Sequence, residues 1–321
     1  MSSSPTFSFA TTAEEVATAF AEEIRGNNVL ITGTSLNGIG FETALAIARH
    51  ANLVTITGYN ADRLKLSEDA IKKEVPTANI RRVILNLSSL TAVRKAAEVV
   101  NADPEPLHVL IHNAAAVLGP FKLSVDGLES QFATDHVGPF LLTKLLAPKL
   151  LAAGTPSYTP RVVFVSSVAH AFGAGVDFAT LEHPDPAKYG ASLAYFQAKS
   201  ANILTAIALS KRSKGAINAY SLHPGGKRSM FIHHLDQSGA EGRIHCCGAV
   251  DGTEKFQWKT IPQGAATYVQ FHSSSNLNKA GAYLDDCAVA TESVSPHSSD
   301  PANAEKLWVI TENIIGEKFT F

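Results

Sequence analysis

The chain has 321 residues, of which 45% are hydrophobic and 17% charged, with a formal net charge of −2. That is the balance of an ordinary globular protein, long enough for one large α/β domain or two small ones. So small a charge gives no electrostatic reason to expect nucleic acid and points to a small-molecule partner. Three cysteines, Cys246, Cys247 and Cys287, do not make a disulfide framework and suit a reducing compartment, so a cytoplasmic location is expected.

At the amino terminus no basic region leads into a long apolar segment, and no apolar run approaches the ~18 residues of a membrane span. Neither secretion nor membrane insertion is expected. Thr12-Ala13-Glu14-Glu15 has the form of a capping box, and Val16, Phe20 and Ile24 recur behind it at helical spacing, which predicts an amphipathic helix over about residues 12 to 25. Phe7 and Phe9 are expected to pack its entry as in a hydrophobic staple; a helix lying on a membrane surface is the minor alternative. Residues 1–26 are read as an extension and 27–321 as the main domain.

Asn28 to Thr32 is a short buried-strand pattern. It runs into Gly33-Thr34-Ser35-Leu36-Asn37-Gly38-Ile39-Gly40 and then an apolar helix from Phe41 to Arg49. Strand, glycine turn and helix in that order can cradle a phosphate, because glycines allow close backbone approach and a helix amino terminus offers N–H groups. Glycines also serve tight turns that hold no ligand. Leu53 to Thr57 is the second strand, followed by Gly58-Tyr59-Asn60 and a helix from Ala61 to Lys73. In such a unit the end of the second strand meets the adenosine ribose, where a carboxylate would bind the 2′-hydroxyl. Here Tyr59 stands there instead and Arg63 lies one turn on, which favours NADP(H) and leaves NAD(H) as the alternative.

Arg82 to Leu85 is the third strand, ending in Asn86-Leu87, and a helix follows over about residues 90 to 100. The fourth strand, Leu107 to Ile111, ends in His112-Asn113-Ala114-Ala115. A long helix is predicted over about residues 128 to 151, and the fifth strand, Arg161 to Val165, ends in Ser166-Ser167-Val168-Ala169-His170. Next comes Tyr195-Phe196-Gln197-Ala198-Lys199 in an apolar helical run. Residues four apart share a helix face, so the Lys199 ammonium would favour the Tyr195 phenolate and lower its pKa toward the range useful for proton transfer. Alone, such a pair is more often a helix-surface contact. The sixth strand, Ile217 to Leu222, ends in His223-Pro224-Gly225-Gly226. Strands alternating with helices predict a doubly wound parallel sheet of about seven strands, with ligands outside the strands' carboxyl ends.

The stretch from Gly226 to about residue 260 breaks this alternation and reads as a lid over the site. It holds His233, His234, His245, Cys246 and Cys247, but not at zinc-ligand spacings, so no metal is expected. Ile261 to Thr267 starts another helix, and Ala280 to Leu284 supplies a short last strand.

Taken in order, these motifs resemble the short-chain dehydrogenase/reductase family from about Asn28 to Asp286. The likeness is closest to its retinol-dehydrogenase-like branch and to fungal members, through "VSSVAH", "AYFQAKSANIL", "SLHPGG" and "IPQGAATYV". The resemblance implies a Rossmann-type α/β fold and hydride transfer at a carbon bearing oxygen. It also implies that Tyr195 is the general acid/base, that Lys199 holds the nicotinamide ribose, and that Ser167 bonds the substrate oxygen. Gly33, Ser35, Gly38, Ile39, Tyr59, Asn60, Arg63, Asn86, Leu87, Asn113, Ala114, Pro224, Gly225 and Ser229 would face the cofactor. His170, Phe172 and Gly226 would line the substrate pocket. A homodimer through the long fourth and fifth helices of the pattern is implied as well.

Four departures from the family pattern stand out. Four residues separate Gly33 from Gly38 where three are usual. His112 replaces the usual Asn, and Asn86 replaces the Asp expected at the adenine amino group. The fourth concerns the family's helix-four Asn, a member of the catalytic tetrad, which is Asp135 here, followed by Pro139. In the family a proton relay uses the main-chain carbonyl at that position. Proline has no N–H, so Pro139 leaves the carbonyl of residue 135 without its usual helical donor.

These features make an NADP(H)-preferring alcohol dehydrogenase or carbonyl reductase acting on an apolar or aromatic substrate the leading expectation. A dinucleotide-binding sensor with little catalysis is the alternative from another class. A same-fold epimerase, dehydratase or C=C reductase is the third.

Overall fold

Strands that are apolar on both faces need helices on both sides. The computed structural model of the chain, which describes residues 5–225, 258–272 and 279–321, has that arrangement. The strands are β1 (Asn28–Thr32), β2 (Leu53–Gly58), β3 (Ile80–Ile84), β4 (Val109–His112), β5 (Arg161–Val165), β6 (Asn218–Leu222), β7 (Tyr283–Asp285) and β8 (Ala288–Val289). They form one sheet in the order β3-β2-β1-β4-β5-β6-β7-β8. All neighbouring pairs are parallel except β7 and β8. The expected sheet of about seven strands is therefore present with one short antiparallel strand added at its edge. The chain reaches β8 by turning through Asp286 and Cys287, both at positive φ (46° and 60°).

On one face of the sheet lie α1 (Ala13–Ala19), α2 (Ala21–Ile24), α3 (Ile39–Ala48), α4 (Ala61–Glu74) and α9 (Ile261–Val269). On the other lie α5 (Leu90–Asn101), α6 (Ser130–Phe132), α7 (Gly138–Ala152), α8 (Ala191–Arg212) and α11 (Pro301–Ile315), with the single turn α10 (Pro296–Ser299) before α11. The topological reversal falls between β1 and β4, where an open parallel sheet leaves a crevice at its carboxyl edge.

Two predicted elements differ in form, and one further element was not anticipated. The amino-terminal helix has its capping box, with Thr12 and Glu15 bonded reciprocally, but it bends at Phe20 into two segments. Its apolar face packs on α9 and α3, with Val16, Phe20 and Ile24 buried, so the face that a membrane surface would have taken is inside the protein. Phe7 meets Phe20 edge-on at 5.6 Å. The predicted helix over 128 to 151 is interrupted by a π-helical segment, Ala133–Val137, between α6 and α7. Finally, α11 lies beyond the last element anticipated. Its Trp308 meets Phe140 of α7 at 4.7 Å and Phe319 at 5.1 Å, and the Arg212 guanidinium of α8 stacks over it. The helices that a family-type dimer would use are thus covered along this seam by the chain's own carboxyl end.

Candidate active site

The glycine turn after β1 holds its shape through bonds to β2 and β4. Gly33 and Thr34 donate their N–H groups to the Thr57 carbonyl at 3.1 Å. The Asn113 amide donates to the carbonyls of Thr32 and Gly33 at 2.9 Å, while Thr32 Oγ1 accepts from the Asn113 and Ala114 N–H groups at 3.0 Å. A Cβ on Gly33 would stand 2.7 Å from Ala114 Cα, and φ there is +72°, so glycine is required at this position. The extra residue between the two glycines is absorbed by a tight turn. Gly38 donates to the Ser35 carbonyl at 3.2 Å, and Asn37 sits at φ 61°.

Above this turn opens a cleft of about 580 Å³. Nine of the residues predicted to face a cofactor line it: Gly33, Ser35, Gly38, Ile39, Tyr59, Asn86, Leu87, Asn113 and Ala114. Thr57, Ser88, Ala116 and Thr134 line it too and were not anticipated. Thr57 lies within a strand pattern, where position on the rim is invisible; Ser88 and Ala116 sit on connections whose path only the fold decides, and Thr134 lies in the π-helical segment. Among the described residues no charged side chain lines the cleft. The buried Thr57 Oγ1 has no partner among the described residues, and the amino terminus of α3 begins at the cleft wall. A dinucleotide fits this set: an uncharged, glycine-floored groove with an unspent hydroxyl and a helix amino terminus for its pyrophosphate.

Other predicted contacts fall differently. Asn60 and Arg63 are exposed on the first turn of α4, and Asn60 Oδ1 accepts from the Arg63 N–H as the helix cap, so that oxygen is already engaged. Asn86 Oδ1 accepts from the Ser88 N–H and Oγ at 3.1 and 2.8 Å. The amide oxygen expected at an adenine amino group is therefore taken in this arrangement. Pro224 and Gly225 follow β6 as expected, and a Cβ on Gly225 would meet the Lys259 side chain at 2.5 Å. Ser229, Gly226 and nearly all of the expected lid, with its histidines and Cys246 and Cys247, lie outside the described residues. Among the described residues no cluster suited to a metal ion occurs.

The candidate catalytic group forms where α8 meets the carboxyl end of β5. Ser166 Oγ donates to the Lys199 carbonyl at 2.7 Å, and Lys199 Nζ donates to the Val165 carbonyl at 3.3 Å. That anchors the turn of α8 carrying Lys199 to the carboxyl end of β5, which Ser167 follows. Lys199 Nζ stands 5.1 Å from the centre of the Tyr195 ring, so the spacing of four does place both on one face. Tyr195 and Lys199 are buried, whereas Ser167 is half-exposed and its hydroxyl accepts from the Ala169 N–H.

Asp135 completes the group. It sits in the π segment, where the Gly138 N–H bonds the Ala133 carbonyl, one residue beyond Thr134 on the cleft wall. Its Oδ2 is 3.2 Å from Lys199 Nζ, and its Oδ1 accepts from the Ala116 N–H at 2.6 Å. Burial raises the Asp135 carboxyl pKa, with the Lys199 charge and the Ala116 N–H pulling it partway back. Burial also works against the Lys199 ammonium, but Asp135 and Tyr195 outweigh it and hold the lysine pKa above its ordinary value.

The histidines around this group are structural. His112 stacks on Phe164 at 4.9 Å and its Nε2 bonds Thr143 Oγ1 at 2.8 Å. Because that hydroxyl donates to the Pro139 carbonyl, the ring carries its proton on Nε2. Burial lowers its pKa to about 3. The replacement of Asn by His at this position therefore changes packing between β4 and α7. His170, expected at the substrate pocket, is buried with both ring nitrogens bonded. Its Nδ1 lies 2.6 Å from the Ser167 carbonyl, and its Nε2 accepts from the Ser295 N–H at 3.4 Å. Both ring nitrogens are spent bracing the turn after β5 against the segment before α10. Phe172 is partly exposed and pairs with Phe196 at 5.4 Å.

A family model described as short chain dehydrogenase matches residues 27–178. Short-chain dehydrogenase TIC 32 A, chloroplastic, of Brassica napus is 36% identical over 93% of this chain and 91% of its own. Retinol dehydrogenase 12 of Homo sapiens is 33% identical over 92% of this chain and 88% of its own. Among solved structures, a protein from Mycobacterium paratuberculosis superposes with a TM-score of 0.68 and 26% identity, covering 94% of this chain and 98% of that one.

Proposed function

Since the chain belongs to the short-chain dehydrogenase/reductase family, whose members are oxidoreductases of CH–OH and C=O groups using NAD(P)(H), we propose that it interconverts an apolar or aromatic alcohol and its aldehyde or ketone, with NADP(H) preferred. The observation that carries this reading is the buried Tyr195–Lys199 pair, 5.1 Å from ring centre to ammonium, on a helix bonded through Lys199 to the carboxyl end of β5. A dinucleotide sensor without chemistry has no use for a proton donor there.

When bound, the nicotinamide supplies the hydride and its acceptor. The chain's own part is to hold, orient and protonate. The glycine turn and the amino terminus of α3 would hold the pyrophosphate, and Asn113 and Ala114 the floor beneath the nicotinamide end. Ser167 would hold the substrate oxygen, and Tyr195 would give a proton to that oxygen or take one from it. Lys199 favours the phenolate by its charge. The cofactor preference rests on the cleft wall: no carboxylate stands at the end of β2 to repel a 2′-phosphate, and Arg63 lies within a turn of it. For an apolar substrate speak the Phe172–Phe196 pair and a smaller cavity of about 70 Å³ beside α8, whose lining includes Phe121, Phe132, Leu181 and Leu193. The human relative is named for retinol, itself an apolar alcohol.

The test follows reduced-nicotinamide absorbance at about 340 nm with NADPH or NADH against a panel of aldehydes and ketones. Turnover with NADPH is expected to fall by about 10²–10⁴-fold in Tyr195→Phe. Cofactor binding without turnover across the panel would favour the sensor instead.

A further inference from the structure

Resting on that reading, we propose that Asp135 is a positioning residue for Tyr195 that acts through Lys199: its carboxylate takes up the lysine charge, keeps the phenol protonated at neutral pH, and so sets the site toward giving a proton to a carbonyl oxygen.

The geometry carries this. Where the family pattern has a neutral Asn, this chain puts a carboxylate 3.2 Å from Lys199 Nζ, with both side chains buried. A lysine promotes ionisation of a neighbouring phenol by its positive charge. An anion in contact with that lysine cancels much of its field at the ring, and burial leaves little water to screen either charge. The remaining donors of Lys199 are spread thin as well, since Nζ also bonds the Val165 carbonyl. Meanwhile Asp135 is held from behind by the Ala116 N–H at 2.6 Å, which fixes the carboxylate toward the lysine.

The other ionisable groups that face this pair do not reverse the argument. Tyr268 on α9 and Tyr283 on β7 face Tyr195, and burial raises the pKa of both far above neutrality, so both are uncharged. Glu129, at the start of α6, is the other anion that acts on Asp135, and its sign also opposes phenolate formation. His136, next to Asp135, turns away, with its Nε2 on Thr311 Oγ1 at 2.9 Å and its Nδ1 on Thr205 Oγ1 at 3.4 Å.

Reduction needs the phenol and oxidation needs the phenolate. Carbonyl reduction consumes one hydride from the reduced dinucleotide and one proton from Tyr195 Oη, giving alcohol and oxidised dinucleotide; the phenolate left behind regains its proton from water. A site whose phenol stays protonated favours that direction at neutral pH.

The experiment titrates the phenol in the cofactor-free protein by ultraviolet phenolate absorbance, with Tyr195→Phe subtracted to isolate its signal. In Asp135→Asn, which keeps an oxygen for the Ala116 N–H, the Tyr195 midpoint is expected to fall by about one pH unit. The same change in a Lys199→Met background is expected to have no effect on the midpoint. A midpoint that stays or rises in Asp135→Asn overturns the proposal, as does an equal fall without the lysine. With substrate, the pH profile of kcat/KM for alcohol oxidation should shift to lower pH in Asp135→Asn. If instead Tyr195→Phe retained turnover, the catalytic reading would fail while the titration still stood on its own.

Discussion

Arg63 shows how a single side chain can bear on cofactor choice without lining the cleft. It stands in solvent at the first turn of α4, so any 2′-phosphate contact is screened and modest. Arg63→Ala is expected to raise the KM for NADPH about 2- to 5-fold and to leave that for NADH unchanged, checked by initial rates with each. Equal effects on both would remove the argument for NADP(H). At this scale the sequence was most legible where spacing alone sets a neighbourhood, as with Tyr195 and Lys199 on one face of α8. It was least legible where a polar group's partner decides its role. His170 and Asn86 look available in the sequence, yet the fold commits His170 to backbone partners and the Asn86 oxygen to Ser88.

The π segment is an element-scale device. Pro139 is buried at the start of α7 and offers no N–H to the carbonyl of residue 135. Pro139→Ala supplies that donor and lets the helix close to regular geometry. Its expected result is a kcat several-fold lower with KM little changed, read by steady-state kinetics, while circular dichroism shows helix retained or gained. The sequence disclosed the missing donor but not the segment itself, because Gly138 bonding back to Ala133 depends on how α7 packs. Caps were easier. Thr260 and Gln263 form the box that starts α9, and Thr260→Ala is expected to cost about 1 kcal/mol in urea unfolding.

At the scale of the molecule, α11 and the tail after it seal the face of α7 and α8. Trp308 is 1% exposed, its indole donates to Glu312, and Glu317 pairs with Lys144 and Arg94. Trp308→Ala is expected to destabilise by about 3–5 kcal/mol. With that surface used internally, only Leu151 and Leu193 remain as exposed large apolar side chains on the two helices. A monomer is expected by light scattering, and a dimer would have to use another face. Acid stability follows from three buried histidines. His112, His136 and His223 have pKa values lowered by burial to about 3, below the ~6.5 of an unfolded chain. Their contribution is full above that value and is lost as pH falls toward 3, because the unfolded chain then binds more protons. Unfolding free energy should drop by about 1.4 kcal/mol per pH unit for each histidine over that window. A flat profile in urea titrations between these limits would refute the neutral assignment.

The sequence by itself determined the alternation of strands and helices, the glycine turn, and the pairing of Tyr195 with Lys199, because each is written in local spacing: period two, period 3.6, or four residues along one helix. Even α11 has readable signals, an Asp300 cap, Pro301, apolar residues at helical spacing and Gly316 at its end. What only the tertiary structure decided are the contacts between residues far apart in the chain. Asp135 meets Lys199 across 64 positions, and His136 meets Thr311 across 175. No local pattern encodes such distances; they are set when the helices on one face of the sheet pack together, and the first of them places a carboxylate at Lys199.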